Sequence, residues 1–594
     1  MYSESITVRD FNSPDQLAAD IAAKFHEWNG LRDTQLQYWE EVDKYVHGTD
    51  TSNLESHFNH KTFIPVIAEV HEDLQAIMYG TVFPHNDWLG WQPNDIQAAT
   101  IEKRENVLSF MKHIHSMNDF KNTFRKLLDD YSRYGNSFAQ VVFDSDTKEL
   151  EDGTTEAGYS GPSVRRISPY DIVFNPTVPD FESTPKIIRT VRTVGGFIDW
   201  VEGLRASGIE INDEAVENVL QQRGSGIQTT NSTNRKNSQY FEAGMTSIES
   251  FQNEDYVELL WFYGNMFDMV ERETHTNKLI VVVQGKDILF QKEEKKPNIF
   301  KATWKPRPDN LWGQGALDNL VGLNYMVNHR ENAKNDAIDR FIYPDRLYQG
   351  DVEEIYDENT NQIKYLTAEG GAVTDITPDG SVLSFNAEID MHEQRARRAA
   401  RLPQQLSGFR SPGEKTATEV QQLNDGAFRG FINKAEQFEQ DLLERVVTAE
   451  IRLARDNFTA AVNVLREDEE GLYSFLQVTE DDLSSNGKLI PFGARRFAKL
   501  LQQQQGLQAV FNSPLAQFVQ PHLNTWGLTE AVNKVYGFDE FNMFGKFAST
   551  EEQLEQQQFT NLAQQELVAS TEQQTPEELT MEGIDAVQDT TTPQ

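Results

Sequence analysis

Residues 312–347, WGQGALDNLVGLNYMVNHRENAKNDAIDRFIYPDRL, read as one long helix followed by its stop signal. Ala316 to Arg340 spans 25 residues, about 38 Å at 1.5 Å per residue. Asn324, Asn328, Asn332 and Asn335 recur along one side at helical spacing. A solvated face explains such a row. So does a polar face meeting neighbouring helices or a wet cavity, because asparagine is a mediocre helix former and four aligned copies call for a reason. Spacing alone does not separate the two. Pro344 ends the helix.

Downstream, residues 345–387 are a small, turn-punctuated β-type segment (RLYQGDV, IKYLTAEGG, TPDGSVLSF). An arginine-rich helical stretch follows, EIDMHEQRARRAARL, closed by Pro403. Glu393 precedes Arg397 by four residues in the favourable orientation for a helix ion pair, which gives Arg397 a structural role. Next comes LSGFRSPGEKTATEVQQ (406–422), where Gly408, Gly413, Lys415 and Thr416 echo a phosphate-binding loop. The echo fails. Glu414 separates the glycine from the lysine and brings negative charge to where phosphate would lie, and Pro412 removes a backbone donor. Thr416 to Glu419 instead fits a capping box, with an apolar series behind it running from Val420 to Leu453 at helical spacing. The 403–416 stretch is then a loop between two helices. Gly426 and Gly430, one turn apart, predict a kink in the second.

Upstream of residue 312, residues 15–80 and 100–133 read mostly helical, with VFPHNDWLGW (82–91) as a turn-rich break and Gly135 as a stop. Strands are expected at 137–144, 164–168, 171–174, 186–194, 256–264 and within 278–293, the last folded at Gln284–Asp287. Residues 223–239 form a Gly/Ser/Thr/Asn-rich loop. The C-terminal part is glutamine-rich and helical, and its final stretch is acidic enough to stay disordered.

Composition bounds the function. Lys and Arg number 54 against 93 Asp and Glu, a formal charge of −39, which argues against a general nucleic-acid binder. There is no cysteine, hence no disulfide or thiolate metal site. No apolar run approaches a membrane span. Catalytic constellations are missing as well. Glu40–Glu41, Asp129–Asp130 and Asp481–Asp482 are sequence neighbours that do not face one another on a helix, and read as solvated charges. His113 and His115 lie two apart, off a shared helical face. The expectation is a non-enzyme with no catalytic, metal or cofactor residues.

The order of parts is helices, a β-rich region, a long helix, a β-type insertion, an arginine-rich helix, a loop and a long kinked helix. Together with YGNSFAQVVFD (134–144), ISPYDIVFNP (167–176), residues 312–347 and EKTATEVQQ (414–422), it resembles the portal, or head–tail connector, proteins of short-tailed bacteriophages over roughly residues 15–510. The resemblance implies an α+β, predominantly helical portal fold assembled as a ring of twelve copies. Residues 1–311 would be the wing, 312–344 the stem helix, 345–387 the clip and 388–402 a second stem helix. Residues 403–416 would be the tunnel loop, 417–499 the long kinked helix and wing, 500–570 the crown, and 571–594 a disordered acidic tail. It implies a virion protein at one capsid vertex, assembled in the host cytoplasm, through which double-stranded DNA is packaged and ejected without sequence readout. Implied partners are further copies of itself, the major capsid protein, scaffolding protein, the terminase large subunit and head–tail adaptor or tail proteins, with no membrane and no cofactor. Phe409, Arg410 and Lys415 would tip the tunnel loop, and Arg398 and Arg401 would line the channel. The acidic balance suits a conduit, since each cation–phosphate contact would hold the cargo. A tail or baseplate scaffold without DNA contact is the alternative, although it has no need of this order of parts.

Overall fold

A computed structural model describes residues 4–48, 58–84, 88–94, 101–149, 155–221, 256–294, 297–350, 352–357, 362–367, 372–376, 384–400, 402, 430–457, 462–467, 473–483 and 487–493. These belong to the first of two compact units, residues 1–497. Helix and strand are mixed throughout. No described helix is long and apolar enough to cross a membrane.

The largest sheet has the order Ile172–Phe174, Lys186–Thr193, Tyr256–Asp268, Thr274–Val283, Asp287–Glu293, all antiparallel neighbours. Ser5–Val8 adds a parallel strand beside Asn265–Asp268. The central strands read as unbroken apolar runs because both faces are covered. Helix Pro14–Gly30 sends Leu17, Ile21 and Phe25 onto one face, against Leu260, Phe262, Ile280 and Val282. Helices Val194–Ala206 and Asp213–Gln221 bring Phe197, Val201 and Val219 to the other, against Leu259, Val281 and Val283. The expected turn is present: Gln284 (φ 51°) and Gly285 (φ 69°) are both left-handed, and Lys286 N donates to Val283 O (3.0 Å), so residues 284–286 connect the paired Val283 and Asp287.

A three-stranded sheet, Ile299–Thr303 beside Asn136–Glu149 beside Thr155–Ile167, joins this layer to a helical one. Helices Val66–Val82, Ile101–Met117 and Phe120–Arg133 share a core with the chain from Phe431 to Ala454. Gly135, at φ +70°, follows the last of these three helices, and a Cβ there would lie 2.2 Å from the Gln314 carbonyl carbon. The predicted stop is therefore also a point of backbone contact.

Four details depart from the sequence reading. The long helix begins at Val321 rather than Ala316 and runs to Ile342, because the chain before it packs on the end of Phe120–Arg133, where Ala316 N donates to Ser132 O. Within the turn-rich 82–91 break begins strand Leu89–Pro93, which pairs antiparallel with Gly487–Pro491 far along the chain, a partner no local pattern announces. Residues 462–467 and 473–478 form a hairpin where helix and wing had been expected. The long helix is regular over residues 430–438 and then widens to a π-turn at Glu439–Leu443 before continuing as Glu444–Asp456. Such a turn inserts a residue, which lets Leu442 with Leu443, and Val446 with Val447, all be buried. Gly430 is helical and half-buried; Gly426 lies outside the described residues.

Candidate functional site

The site is built around helix Val321–Ile342. Asn324, Asn328 and Asn332 are at most 1 % exposed, so their row is not a solvated face. It is laid against irregular backbone at residues 59–65 and the first turn of helix Val66–Val82. Asn332 Oδ1 accepts from Thr62 N (2.7 Å) while its Nδ2 donates to Thr62 O (3.1 Å). Asn328 Oδ1 accepts from Ile64 N (2.9 Å). Asn324 Oδ1 accepts from Ile67 N (3.1 Å) and its Nδ2 donates to Ile64 O (3.2 Å). Asp336 continues the series, accepting from Asn59 N and His60 N at 2.9 Å each. The spacing works because four helical residues rise about 6 Å. Two extended residues advance about the same distance. A carboxamide offers both a donor and an acceptor, and an extended segment outside any sheet needs both.

After Tyr343 the chain forms two hairpins. Asp345–Gln349 pairs antiparallel with Ala372–Ile376, and nested within it Val352–Asp357 pairs with Gln362–Thr367. One face of the outer pair carries Arg346, Tyr348 and Asp375. Arg346 pairs with Asp375 at 3.2 Å and lies over the Tyr365 ring, which brings the inner hairpin to that face. Tyr348 donates to Glu354 (2.6 Å) and its ring approaches Tyr365. The opposite face leaves Leu347 (58 %) and Ile376 (55 %) exposed, with Ile342 (61 %) and Tyr343 (80 %) at the preceding helix end.

Helix Phe385–Ala399 then returns along the first helix. Arg330 pairs with Glu388 at 3.1 Å and lies over the Phe385 ring, and Lys334 donates to Asn386 Oδ1 (3.1 Å). Arg397 is buried and makes two ion pairs of 3.0 Å, with Glu69 and Asp73 on Val66–Val82. Its role is structural as expected, but the carboxylates come from another helix. Burial, then the neighbouring Glu69 and Asp390 charges, raise the Glu393 carboxyl above its ordinary range.

The adjacent acids Asp129 and Asp130 correct the sequence reading: they are not solvated. Asp130 is fully buried and takes two 2.6 Å hydrogen bonds from Arg166; burial still pushes its pKa up to about 6. Asp129 meets His71 (2.7 Å) and Arg133 (3.3 Å) on the other side of the helix. His115, placed off any shared face with His113, reaches Glu450 at 3.0 Å. A cavity of about 560 Å³ opens beside the large sheet, lined by Arg165, Arg166, Arg189 and Arg192 with Tyr170 and Trp261. Three of its arginines are matched within the fold: Arg165 by Asp144, Arg166 by Asp130, and Arg189 by Glu258 and Asp171. Arg192 lies over the Trp200 ring. The cavity is thus largely compensated in charge.

Of the residues singled out for the channel, Arg398 is exposed on the return helix. Arg401, Phe409, Arg410 and Lys415 lie outside the described residues, as do the loop 403–416 and the segments 500–570 and 571–594. The backbone partner of the asparagine row escaped sequence reading, which took residues 15–80 as mostly helical, whereas residues 58–65 are irregular. No protein-family model matches this chain, and no curated protein does.

Proposed function

We propose that the chain is the portal subunit of a short-tailed bacteriophage, a structural protein that forms a ring-shaped channel for double-stranded DNA at one capsid vertex. The observation that carries this reading is the unit of helix Val321–Ile342, two nested hairpins whose outer strands are exposed, and return helix Phe385–Ala399. The helices are tied side by side and to the body through Arg397, while the hairpins stand at their far end with apolar side chains uncovered. In a ring, the helix pairs would form the stem and the hairpins the clip, whose apolar face would meet the neighbouring copy. The terminase large subunit would dock there during packaging, and adaptor or tail proteins afterwards. Capsid and scaffolding proteins would meet the wing. A net charge of −39 would keep the duplex sliding, with a few exposed cations such as Arg398 guiding it. No catalytic role is assigned to the chain.

The test is negative-stain imaging and light scattering of the purified full chain. Closed rings with a central hole and a mass near twelve copies are the expected result. A chain that stays monomeric at every concentration, or forms only open filaments, overturns the reading.

A further inference from the structure

Strand Tyr256–Asp268 ends in a short turn, DMVERETH, that leads into Thr274–Val283. Asp268, Glu271 and His275 each offer one ligand atom there, and the three atoms lie within 4.8 Å of one another. We infer that this turn is a binding site for a divalent transition-metal ion, with those three side chains as its protein ligands.

Each of the three is held by contacts other than the ion. Asp268 is fully buried and accepts from Val270 N (2.7 Å) and Phe11 N (3.1 Å). The His275 ring stacks on Phe11, centroids 3.8 Å apart and planes 18° from parallel. Asn12 Nδ2 donates to Glu271 Oε1 at 2.8 Å. Fixing ligands through outer contacts in this way is how metal sites set orientation. The independent sign is His275 Nε2. It is buried from solvent and makes no hydrogen bond among the described residues, while Glu271 Oε2 stands 4.0 Å away. An ordinary histidine–carboxylate pair would close to hydrogen-bond distance, because leaving a buried polar atom unmatched costs about 1–3 kcal/mol. Lys278 is the nearby ammonium, with Nζ 5.8 Å from the Phe11 ring centroid; it reaches Glu293 at 4.0 Å.

The donor set names the class of ion. One imidazole with two carboxylates suits Zn²⁺ or Mn²⁺ better than Mg²⁺ or Ca²⁺, which take oxygen alone. Bonds of about 2.0–2.2 Å put ligand atoms at most about 4.4 Å apart across the ion. The half-exposed Glu271 side chain supplies the small closure needed. Phe11 and Asn12 lie just beyond the Ser5–Val8 strand, so the ion would also fasten the N-terminal strand to the sheet.

The experiment uses the full chain freed of metal with a chelator, titrated calorimetrically with Zn²⁺ and separately with Mg²⁺. One Zn²⁺ per chain is expected, with a raised melting temperature and no comparable response to Mg²⁺. Glu271→Gln keeps an acceptor for Asn12, and circular dichroism checks that it is folded. It and His275→Gln should each weaken Zn²⁺ at least tenfold and abolish the thermal shift. Absence of saturable Zn²⁺ binding, equal binding of Mg²⁺, or Zn²⁺ binding unchanged in the two folded variants would each overturn the assignment.

Discussion

The two ends of helix Val321–Ile342 are finished in opposite ways. Its first three turns are covered within the chain: Asn324, Asn328 and Asn332 are buried, Asn324 and Asn332 spend both ends of their carboxamides on the backbone of 62–67, and Asn328 spends its oxygen there. Its last turn and the strands beyond it leave Ile342, Tyr343, Leu347 and Ile376 uncovered. Buried polar groups matched to backbone partners make a region stable by itself and specific in register. Uncovered apolar groups do the reverse, and a contiguous group of them marks a surface that meets something else. One helix thus joins a part finished by folding to a part that the portal reading finishes by assembly.

The largest effect is expected at the finished end. Asn332→Leu strands Thr62 N and O, and Asn324→Leu strands Ile67 N and Ile64 O. Asn324→Leu should cost about 2–4 kcal/mol, since Ile67 is buried and Ile64 half-buried, and Asn332→Leu about 1–2 kcal/mol, because Thr62 is exposed and water can reach its backbone. Asn328→Leu strands the half-buried Ile64 N but also removes a buried Nδ2 that has no partner among the described residues, and its cost should be the smallest, at most about 1 kcal/mol. Urea unfolding of the three variants measures this order. Equal, small losses would mean that the row is incidental and would remove one side of the comparison.

Lys186 tests the finished part from another direction, since it is buried with a less generous environment. It is 1 % exposed, donates to Thr184 O at 2.9 Å and lies 4.5 Å from the Phe181 ring centroid. Burial lowers its pKa to about 7, with Asp180 and Glu182 pulling the other way. Above that pH the folded chain has released the proton, whereas the unfolded chain holds it until about pH 10.4. The unfolded state then binds more protons, so this group makes stability rise with pH between about 7 and 10. Lys186→Met should stabilise the fold by about 1–3 kcal/mol near pH 6 and remove that slope. Melting temperatures across pH 6–9 decide it; a slope unchanged in the variant assigns the pH dependence elsewhere.

How much of this could be read beforehand depended on how local each cause is. The hairpin at Gln284–Gly285 was legible because left-handed turn residues sit between two apolar runs. The helix–insertion–helix order was legible from Pro344, the turn-rich stretch and the arginine-rich repeat. The asparagine row was visible at its spacing, but its partner lies about 260 residues away, in irregular chain inside a stretch that reads as mostly helical. Asp129 and Asp130 were misread because whether an acid is solvated depends on what packs over it, here Arg166 from a strand and His71 from another helix. The π-turn at Glu439–Leu443 leaves only a doubled apolar step, Leu442 with Leu443, in an otherwise regular series. Asp268, Glu271 and His275 are close in sequence, yet spacing in a turn does not fix direction until Phe11 and Asn12 are in place.

Between the two ends lies the contact of the helix with its return partner, and there a small effect is expected. Arg330 and Glu388 are each about a third or more exposed, at 34 % and 41 %. Water screens such a pair, and a double-mutant cycle of Arg330→Ala with Glu388→Ala should give about 0.2–1 kcal/mol. A coupling well above that range would mean that the helix pair is more rigid as a free chain than its exposure implies.

The smallest effect on folding, and the sharpest test of the comparison, is expected at the open end. Leu347 and Ile376 lie on the face of the outer hairpin turned away from Tyr365, and Tyr343 is 80 % exposed. None of the three fills a core, so Tyr343→Ser, Leu347→Ser and Ile376→Ser should each change the stability of the isolated chain by no more than about 0.5 kcal/mol, and together by no more than about 1.5 kcal/mol. Their apolar area contributes only when something covers it, at about 25 cal/mol per Å². If a neighbouring copy covers it, the triple variant should remain folded yet lose rings by light scattering and negative stain, or need far higher concentration to form them. A triple variant that unfolds would show that these side chains belong to the fold after all. Rings formed as readily as by the unaltered chain would separate this surface from assembly and leave the difference between the two ends without the meaning given to it here.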